Sequence, residues 1–380
     1  MTNIVDLTVV LPCLNEAQTL PMCIDEINET LQKSELSYQI LIADNGSDDG
    51  SIKIAEQSEN CIVINVPERG YGSALKAGIM AADSEYVVFA DADFTYPFNL
   101  LEEMYKTIID KQCDMVIASR YKGTIEEGAM PFLHKYAGTP VLTKSINLLY
   151  HSSYSDCNSG YRLFKKSAYE SWEMQSSGME FASEMLIKAA KANCDVIEIP
   201  GGLRKDIRED RIPHLKTWRD GMRHLLYIFS QAPRFFEKSG ILLFIFGFLF
   251  SFISSFDGIL VFGKIGIFGL HTQIMLATLM LVGIELYTTA FVLFLKSSDV
   301  YYFRFTKLLL EIRDDYLFFS LLIIIALMIV SFILFVQYWL SHEMQMITLH
   351  TEVLFIASIL ASSYILVSNL LKFHLLKRSV

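Results

Sequence analysis

Over the first 120 residues, short apolar runs alternate with stretches in which apolar residues recur every three or four positions. The runs Leu7–Leu14, Tyr38–Asp44, Cys61–Val66, Tyr86–Asp91 and Asp114–Ser119 are predicted strands. The spacing between them predicts helices near Glu16–Gln32, Gly50–Ser58, Gly72–Ala82 and Pro97–Lys111. Such alternation implies an α/β domain with a mainly parallel sheet and helices on both faces. Ligands on such sheets gather at the carboxyl ends of the strands, and three of these runs end directly in polar motifs.

Beyond residue 238 the pattern changes. Four long, nearly uncharged segments follow, at Ser239–Phe256 with an extension to Phe262, Leu270–Leu295, Leu317–Trp339 and Val353–Leu371. Each approaches the ~20 apolar residues needed to cross a bilayer. Their length and repetition argue against a buried helical core. The expected organisation is a soluble domain over 1–215, a juxtamembrane region over 216–238, and a four-helix transmembrane domain over 239–380 (helices about 239–262, 270–295, 317–339 and 353–371). Lys216–Phe236 mixes Trp218, Leu225, Leu226, Tyr227 and Phe229 with Arg219, Arg223 and Arg234. It suits either an interfacial amphipathic helix or one packed on the sheet.

Composition sharpens this picture. The mean hydropathy of +0.35 is high for a soluble protein, and the second half of the 380-residue chain raises it. A formal charge of −10 argues against nucleic acid as a partner. The six cysteines, all in the first half, form no CxxC pair, so reduced, mostly buried thiols are expected. Met1–Asp6 lacks the basic start of a signal peptide, and the first domain is expected in the cytosol.

The candidate chemistry sits at the strand ends. Asp91-Ala92-Asp93 ends the fourth strand, and in an extended segment both carboxylates would project to one side. Hard oxygen ligands suit Mg²⁺ or Mn²⁺ and, through the ion, a diphosphate. Asp44, opening Asp44–Gly50, would accept hydrogen bonds from a base or ribose, while Asp48, Asp49 and Gly50 read as a strand-to-helix turn. Pro12-Cys13-Leu14-Asn15-Glu16 ends the first strand, with Asn15 a candidate helix cap and Glu16 a candidate ribose contact. Gly70-Tyr71-Gly72 opens a helix, where backbone N–H groups favour an anion. Neither a GxGxxG nor a P-loop pattern is present there.

The order and spacing of Pro12–Glu16, Asp44–Gly50, Arg69–Ala74 and Asp91–Asp93 resemble the nucleotide-sugar half of inverting GT-A glycosyltransferases. Ala118-Ser119-Arg120-Tyr121, Asp156–Arg162, Gly178–Met185, Pro213-His214-Leu215 and Arg219-Asp220-Gly221 extend the likeness to the dolichyl-phosphate mannose or glucose synthase-like branch of family 2. The likeness covers about residues 7–236. It implies a nucleotide-sugar donor, a polyprenyl phosphate acceptor, metal-dependent inverting transfer, and a multi-pass protein of the cell membrane with the catalytic domain and both termini cytoplasmic.

The same resemblance implies roles. Asp44 would contact the nucleobase and Glu16 the ribose, with Pro12, Asn15, Gly70 and Gly72 around the donor. Asp91 and Asp93 would hold the metal, Glu180 would touch the sugar, and Arg120 and Arg162 would receive the lipid phosphate. Lys135 or His134 would add a second basic contact. His214 and the run Arg204, Lys205, Arg208, Arg211 would fold over the donor phosphates. Phe94-Thr95 stands where many relatives carry Leu-Gln, so a metal-shell Gln is missing. Two other readings stay open. A processive polysaccharide synthase would carry QxxRW, to which Gln231-Ala232-Pro233-Arg234-Phe235 is a near miss. A non-catalytic lipid-carrier protein would make use of Glu285 inside a span. Homo-oligomerisation is left open.

Overall fold

A computed structural model describes residues 5–208, 217–256, 260–262, 265–267, 270–297, 299–341 and 351–379. The chain divides into two compact units, Met1–Phe229 and Ser230–Val380.

The first unit runs β1 (Leu7–Cys13), α1 (Leu20–Leu31), β2 (Tyr38–Asp44), α2 (Ser51–Gln57), β3 (Cys61–Asn65), α3 (Tyr71–Ala81), β4 (Tyr86–Phe89), α4 (Leu101–Lys111), β5 (Met115–Ser119), α5 (Thr139–Tyr150), β6 (Arg162–Lys165), α6 (Lys166–Ser171), α7 (Phe181–Lys191), β7 (Val196–Pro200) and α8 (Thr217–Ser230). Seven strands form one sheet in the order β3-β2-β1-β4-β6-β5-β7. All neighbours pair in parallel except β6, which runs antiparallel between β4 and β5.

All five expected strands form, and β6 and β7 join them. Alternation along the strands sorts side chains onto two faces. Val9, Leu11, Ile40, Ile42 and Val88 pack under α1 and α4, against Ile24, Ile27, Met104 and Ile108. Val10, Leu41, Val87 and Phe89 face α3, α5 and α7, against Leu75, Ile79, Leu142, Phe181 and Met185. Pro12 is tolerated in β1 because β4 pairs only with Leu7–Val10, so the missing N–H breaks no ladder on that side.

The second unit contains α9 (Pro233–Phe256), a small hairpin of β8 (Leu260–Phe262) and β9 (Ile265–Ile267), α10 (Leu270–Lys296), α11 (Arg304–Leu310), α12 (Asp314–Ser341) and α13 (Thr351–Ser379). Four of these helices, α9, α10, α12 and α13, are long and apolar enough to cross a membrane. α9 starts six residues before the expected Ser239, at a proline, whose fixed φ suits a first helical turn. It ends at Phe256; of the expected extension to Phe262, Leu260–Phe262 form β8 and 257–259 lie outside the described residues.

Glycines bring α9 and α10 close together, as small residues do in membrane interfaces. A Cβ on Gly240 would lie 2.4 Å from the Tyr287 nitrogen, and one on Gly283 would lie 2.5 Å from the Phe244 nitrogen. Glu285 accepts a 3.4 Å hydrogen bond from Asn369, whose amide also donates to Thr288 at 2.8 Å. The Glu285 carboxylate thus has polar neighbours on α13 and α10. The buried Glu237 accepts the N–H groups of Tyr302 and Phe303 at 2.7 and 3.1 Å and the Thr306 hydroxyl at 2.6 Å, fixing α11 against α9.

Candidate active site

The carboxyl ends of β1, β2 and β4 and the loops that leave them converge on one cluster of carboxylates and arginines. The Asp44 carboxylate, 1% exposed, accepts the N–H groups of Gly46 and Ser47 at 2.9 and 3.1 Å. It shapes the turn after β2 and offers little of its own surface to a nucleobase. Asn15 adopts a left-handed φ of 60° and does not cap α1, which begins at Leu20. Its Oδ1 accepts the Asp48 N–H at 2.8 Å, locking the loops after β1 and β2 together. Asp49 accepts from Ser51 and from the Ala17 N–H, in keeping with its reading as a turn residue.

The glycines of Gly70-Tyr71-Gly72 serve close packing. Gly70 has φ +138°, and a Cβ there would lie 2.1 Å from the Ser177 carbonyl oxygen; one on Gly72 would lie 2.5 Å from that of Ser176. The Glu184 carboxylate holds this 175–177 loop by accepting the Gln175 and Ser176 N–H groups at 2.9 and 2.7 Å. Between the glycines, the Tyr71 hydroxyl donates to Asp91 at 2.8 Å.

β4 ends at Phe89, and the chain turns through Phe94 at φ 61°, so Asp91 and Asp93 do not lie on a continuous strand. Their environments differ accordingly. Burial, reinforced by the Asp93 charge, pushes the Asp91 carboxyl up to about 7. A Cβ on Gly160 would lie 2.5 Å from Asp91 Oδ2, so glycine lets the loop before β6 press on that carboxylate. Asp93 Oδ1 accepts the Thr95 hydroxyl at 2.6 Å, while Oδ2 lies 3.5 Å from Arg208 Nη2. Among the described residues no group of three acidic, His or Cys side chains forms a ready metal cage. Two hard carboxylates fit Mg²⁺ or Mn²⁺ provided the ligand supplies the remaining oxygens.

Arg208 lies amid this charge. Nη1 donates to both Glu16 oxygens at 2.6 and 2.5 Å, and Nη2 to Asp206 at 2.8 Å. Burial opposes its charge, but Asp206, Glu16 and Asp93 outweigh burial and raise its pKa. Burial dominates at Glu16 and raises its carboxyl above the usual range despite Arg208. The strap carrying Arg208 is tied down by Arg204, which forms a two-pronged ion pair with Glu26 at 2.6 and 2.7 Å, lies over the Phe94 ring, and donates its N–H to the Thr95 carbonyl.

The two expected acceptor arginines part company. Arg120 leaves β5 and makes a two-pronged pair with Asp156 at 2.7 and 2.8 Å, with its side chain 13% exposed. Arg162, expected to meet the lipid phosphate, is wholly buried. It donates to the carbonyls of Ser159, Ala182 and Cys157 at 3.0, 2.8 and 2.8 Å. The assignment of Arg162 to the acceptor is therefore corrected: its donors are spent on backbone, and it fixes the loop that supports Asp156. Lys135 lies half-exposed on a wide helical turn, His134–Gly138, which the Tyr121 hydroxyl anchors through the Lys135 carbonyl at 2.8 Å. The neighbouring His134 is lowered by burial and by the Arg120 charge. Glu180 precedes α7, and its Oε2 is buried with no hydrogen-bond partner among the described residues. His214 and Arg211 lie outside the described residues.

Sequence reasoning did not assign Asp206, Tyr71, Asp156 or Glu184. Asp156 and Glu184 belong to the quoted motifs, but nothing in their spacing names Arg120 and the 175–177 loop as partners.

Residues 8–172 match the family model described as glycosyl transferase family 2. The low-salt glycan biosynthesis hexosyltransferase Agl6 of Haloferax volcanii is 34% identical over 281 residues, which is 74% of this chain and 66% of that protein. Residues 8–172 thus form a glycosyl transferase family 2 domain. The chain spans just under two thirds of the length of the Haloferax volcanii relative. An uncharacterized glycosyltransferase of Mycobacterium tuberculosis is 28% identical over 192 residues, covering 50% of this chain and 82% of that one. Among solved structures, the glucosyl-3-phosphoglycerate synthase of Mycobacterium tuberculosis, crystallised with Mn²⁺, uridine diphosphate and phosphoglyceric acid, shows 20% identity and a TM-score of 0.47, over 59% of this chain and 78% of that one.

Proposed function

We propose that this family 2 glycosyltransferase transfers a hexose from a nucleotide-sugar to a polyprenyl phosphate at the cytoplasmic face of a cell membrane. One pairing carries the reading: a strand-tip site in which carboxylates face arginines, in a chain whose second unit has four helices of membrane-spanning length. A polyprenyl tail resides in the bilayer and exposes only its phosphate. An anchored catalytic domain is confined to the same surface.

The donor half takes the nucleotide. The turn shaped by Asp44 borders the base, Glu16 accepts from the ribose, and the buried free oxygen of Glu180 suits a sugar hydroxyl. Asp91 and Asp93 would hold Mg²⁺ or Mn²⁺. When bound, the ion neutralises charge building on the departing diphosphate. The acceptor phosphate has a second pKa near ~6 and already carries an anionic oxygen, so the site needs no strong general base. Arg120, steadied by Asp156, draws that phosphate in with a planar fork, and Lys135 adds charge beside it. Single displacement with inversion follows from the family resemblance.

A panel of nucleotide-sugars incubated with the full-length enzyme and one polyprenyl phosphate, with product read by mass spectrometry, tests this reading. Asp93→Asn in a folded protein is expected to reduce transfer by roughly two orders of magnitude, the scale of losing a principal electrostatic group. EDTA should abolish transfer and Mg²⁺ or Mn²⁺ restore it. Undiminished activity of Asp93→Asn, or no lipid-linked product from any donor, would overturn the assignment.

A further inference from the structure

We propose that Arg208 is an exchangeable counter-cation, holding Glu16 and Asp93 while the donor site is empty and yielding Asp93 to the divalent ion that arrives with a nucleoside diphosphate. This rests on the reading of Asp93 as a metal ligand.

The geometry makes the two cations exclusive. Arg208 is clamped by Glu16 and Asp206 at 2.5–2.8 Å, whereas its approach to Asp93 Oδ2, at 3.5 Å, is the longest of its three acidic contacts. Asp93 Oδ1 is committed to Thr95, so Oδ2 is the oxygen left for a cation. Mg²⁺ takes carboxylate oxygen at about 2.0–2.1 Å. On Oδ2 it would lie a few ångströms from the guanidinium, in a cleft where all four side chains are at most 16% exposed and screening is weak. Metal alone must therefore displace Arg208 without offering it a new partner. Metal together with a diphosphate does offer one, because the displaced fork can engage phosphate oxygens two at a time.

Linkage follows: the ion and the nucleotide each strengthen binding of the other, and Arg208 contributes to that coupling. The anchor at Arg204 keeps the strap over the site while its tip exchanges. Asp206, two residues away and bonded to the same guanidinium, moves with it and keeps part of its charge compensated.

Mn²⁺ binding to the full-length protein in detergent, followed by electron paramagnetic resonance without and with nucleoside diphosphate, tests this. Removing an opposing charge at this range alters a carboxylate's affinity for a cation by about tenfold or more, as it does for a proton. Arg208→Ala is therefore expected to bind Mn²⁺ alone about tenfold more tightly than the unaltered protein and to show a smaller gain on adding nucleotide. Arg208→Lys, which keeps the charge, should retain the weak metal binding. Equal or weaker Mn²⁺ binding by a folded Arg208→Ala, judged by its thermal unfolding, overturns the exchange. Asp93→Asn separates the two readings. If it binds Mn²⁺ like the unaltered protein, the metal-ligand assignment fails and the exchange with it. If it loses Mn²⁺ while Arg208→Ala changes nothing, only the exchange fails.

Discussion

Arg120 follows the end of β5 and Arg162 opens β6, and both were expected at the acceptor, yet they meet different physics. Arg162 has no exposed surface and feeds three backbone carbonyls. Arg162→Met should leave those carbonyls without donors, at roughly 1–3 kcal/mol each, partly offset by no longer burying a cation. A lowered unfolding temperature with an unchanged acceptor KM in the surviving fraction is expected. Unchanged stability with a raised acceptor KM would return Arg162 to the acceptor site. Arg120→Ala should raise the acceptor KM more than it weakens nucleotide binding, and Arg120→Lys should restore it incompletely, since lysine lacks the two-pronged fork that meets Asp156. Loss of nucleotide binding alone would move Arg120 to the donor side. The sequence could not separate the two arginines, because burial depends on which carbonyls the β5–β6 connection turns inward, and no local spacing encodes that.

At the scale of elements, the five parallel strands and the helices between them were legible because burial on both faces leaves continuous apolar runs. β6 was not: it is only four residues long, begins with an arginine and runs against its neighbours. The early end of β4 escaped for a related reason, since Ala90 is buried and donates to the Val10 carbonyl, so it reads as strand although the β1 register ends at Phe89. α8 shows how burial decides what composition leaves open. Asp220, His224 and Ile228 are buried, while Trp218, Met222 and Leu226, four residues apart, are exposed. One face of α8 packs within the first unit, and an apolar stripe is left outside. His224 lies 2.7 Å from the Ser183 hydroxyl, and burial pushes its pKa down to about 4 against an ordinary value of 6.5, with Glu180 and Asp220 opposing and Arg162 reinforcing. Between those two values the unfolded chain binds more protons, so stability rises with pH through the window and is lost on acidification. His224→Gln should narrow the gap in unfolding temperature between pH 7 and pH 5. An equal gap in both proteins would show that His224 is not the group responsible.

For the whole molecule, the disposition of the spans across a membrane is a proposal independent of family likeness. An even number of spans puts the first unit and the C-terminus on one side. Basic residues near spans mark the cytoplasmic side. The approach to α9 carries Arg234 and Lys238, the connector from α10 to α12 carries Lys296, Arg304, Lys307 and Arg313, and the C-terminal stretch carries Lys372, Lys377 and Arg378. The connector between α9 and α10 offers only Lys264, and Leu340–Glu352 offers neither lysine nor arginine. Four spans place all three basic segments on one side and both poor ones on the other, whereas three or five would mix them and separate the termini. Single cysteines at Ser341 and Ser379, in a background freed of the six native cysteines, report on it with an impermeant thiol reagent on intact cells. Position 341 is expected to label at once, and position 379 only after the membrane is opened. Labelling of both beforehand, or in the reverse order, would refute a four-span arrangement with a cytoplasmic catalytic domain.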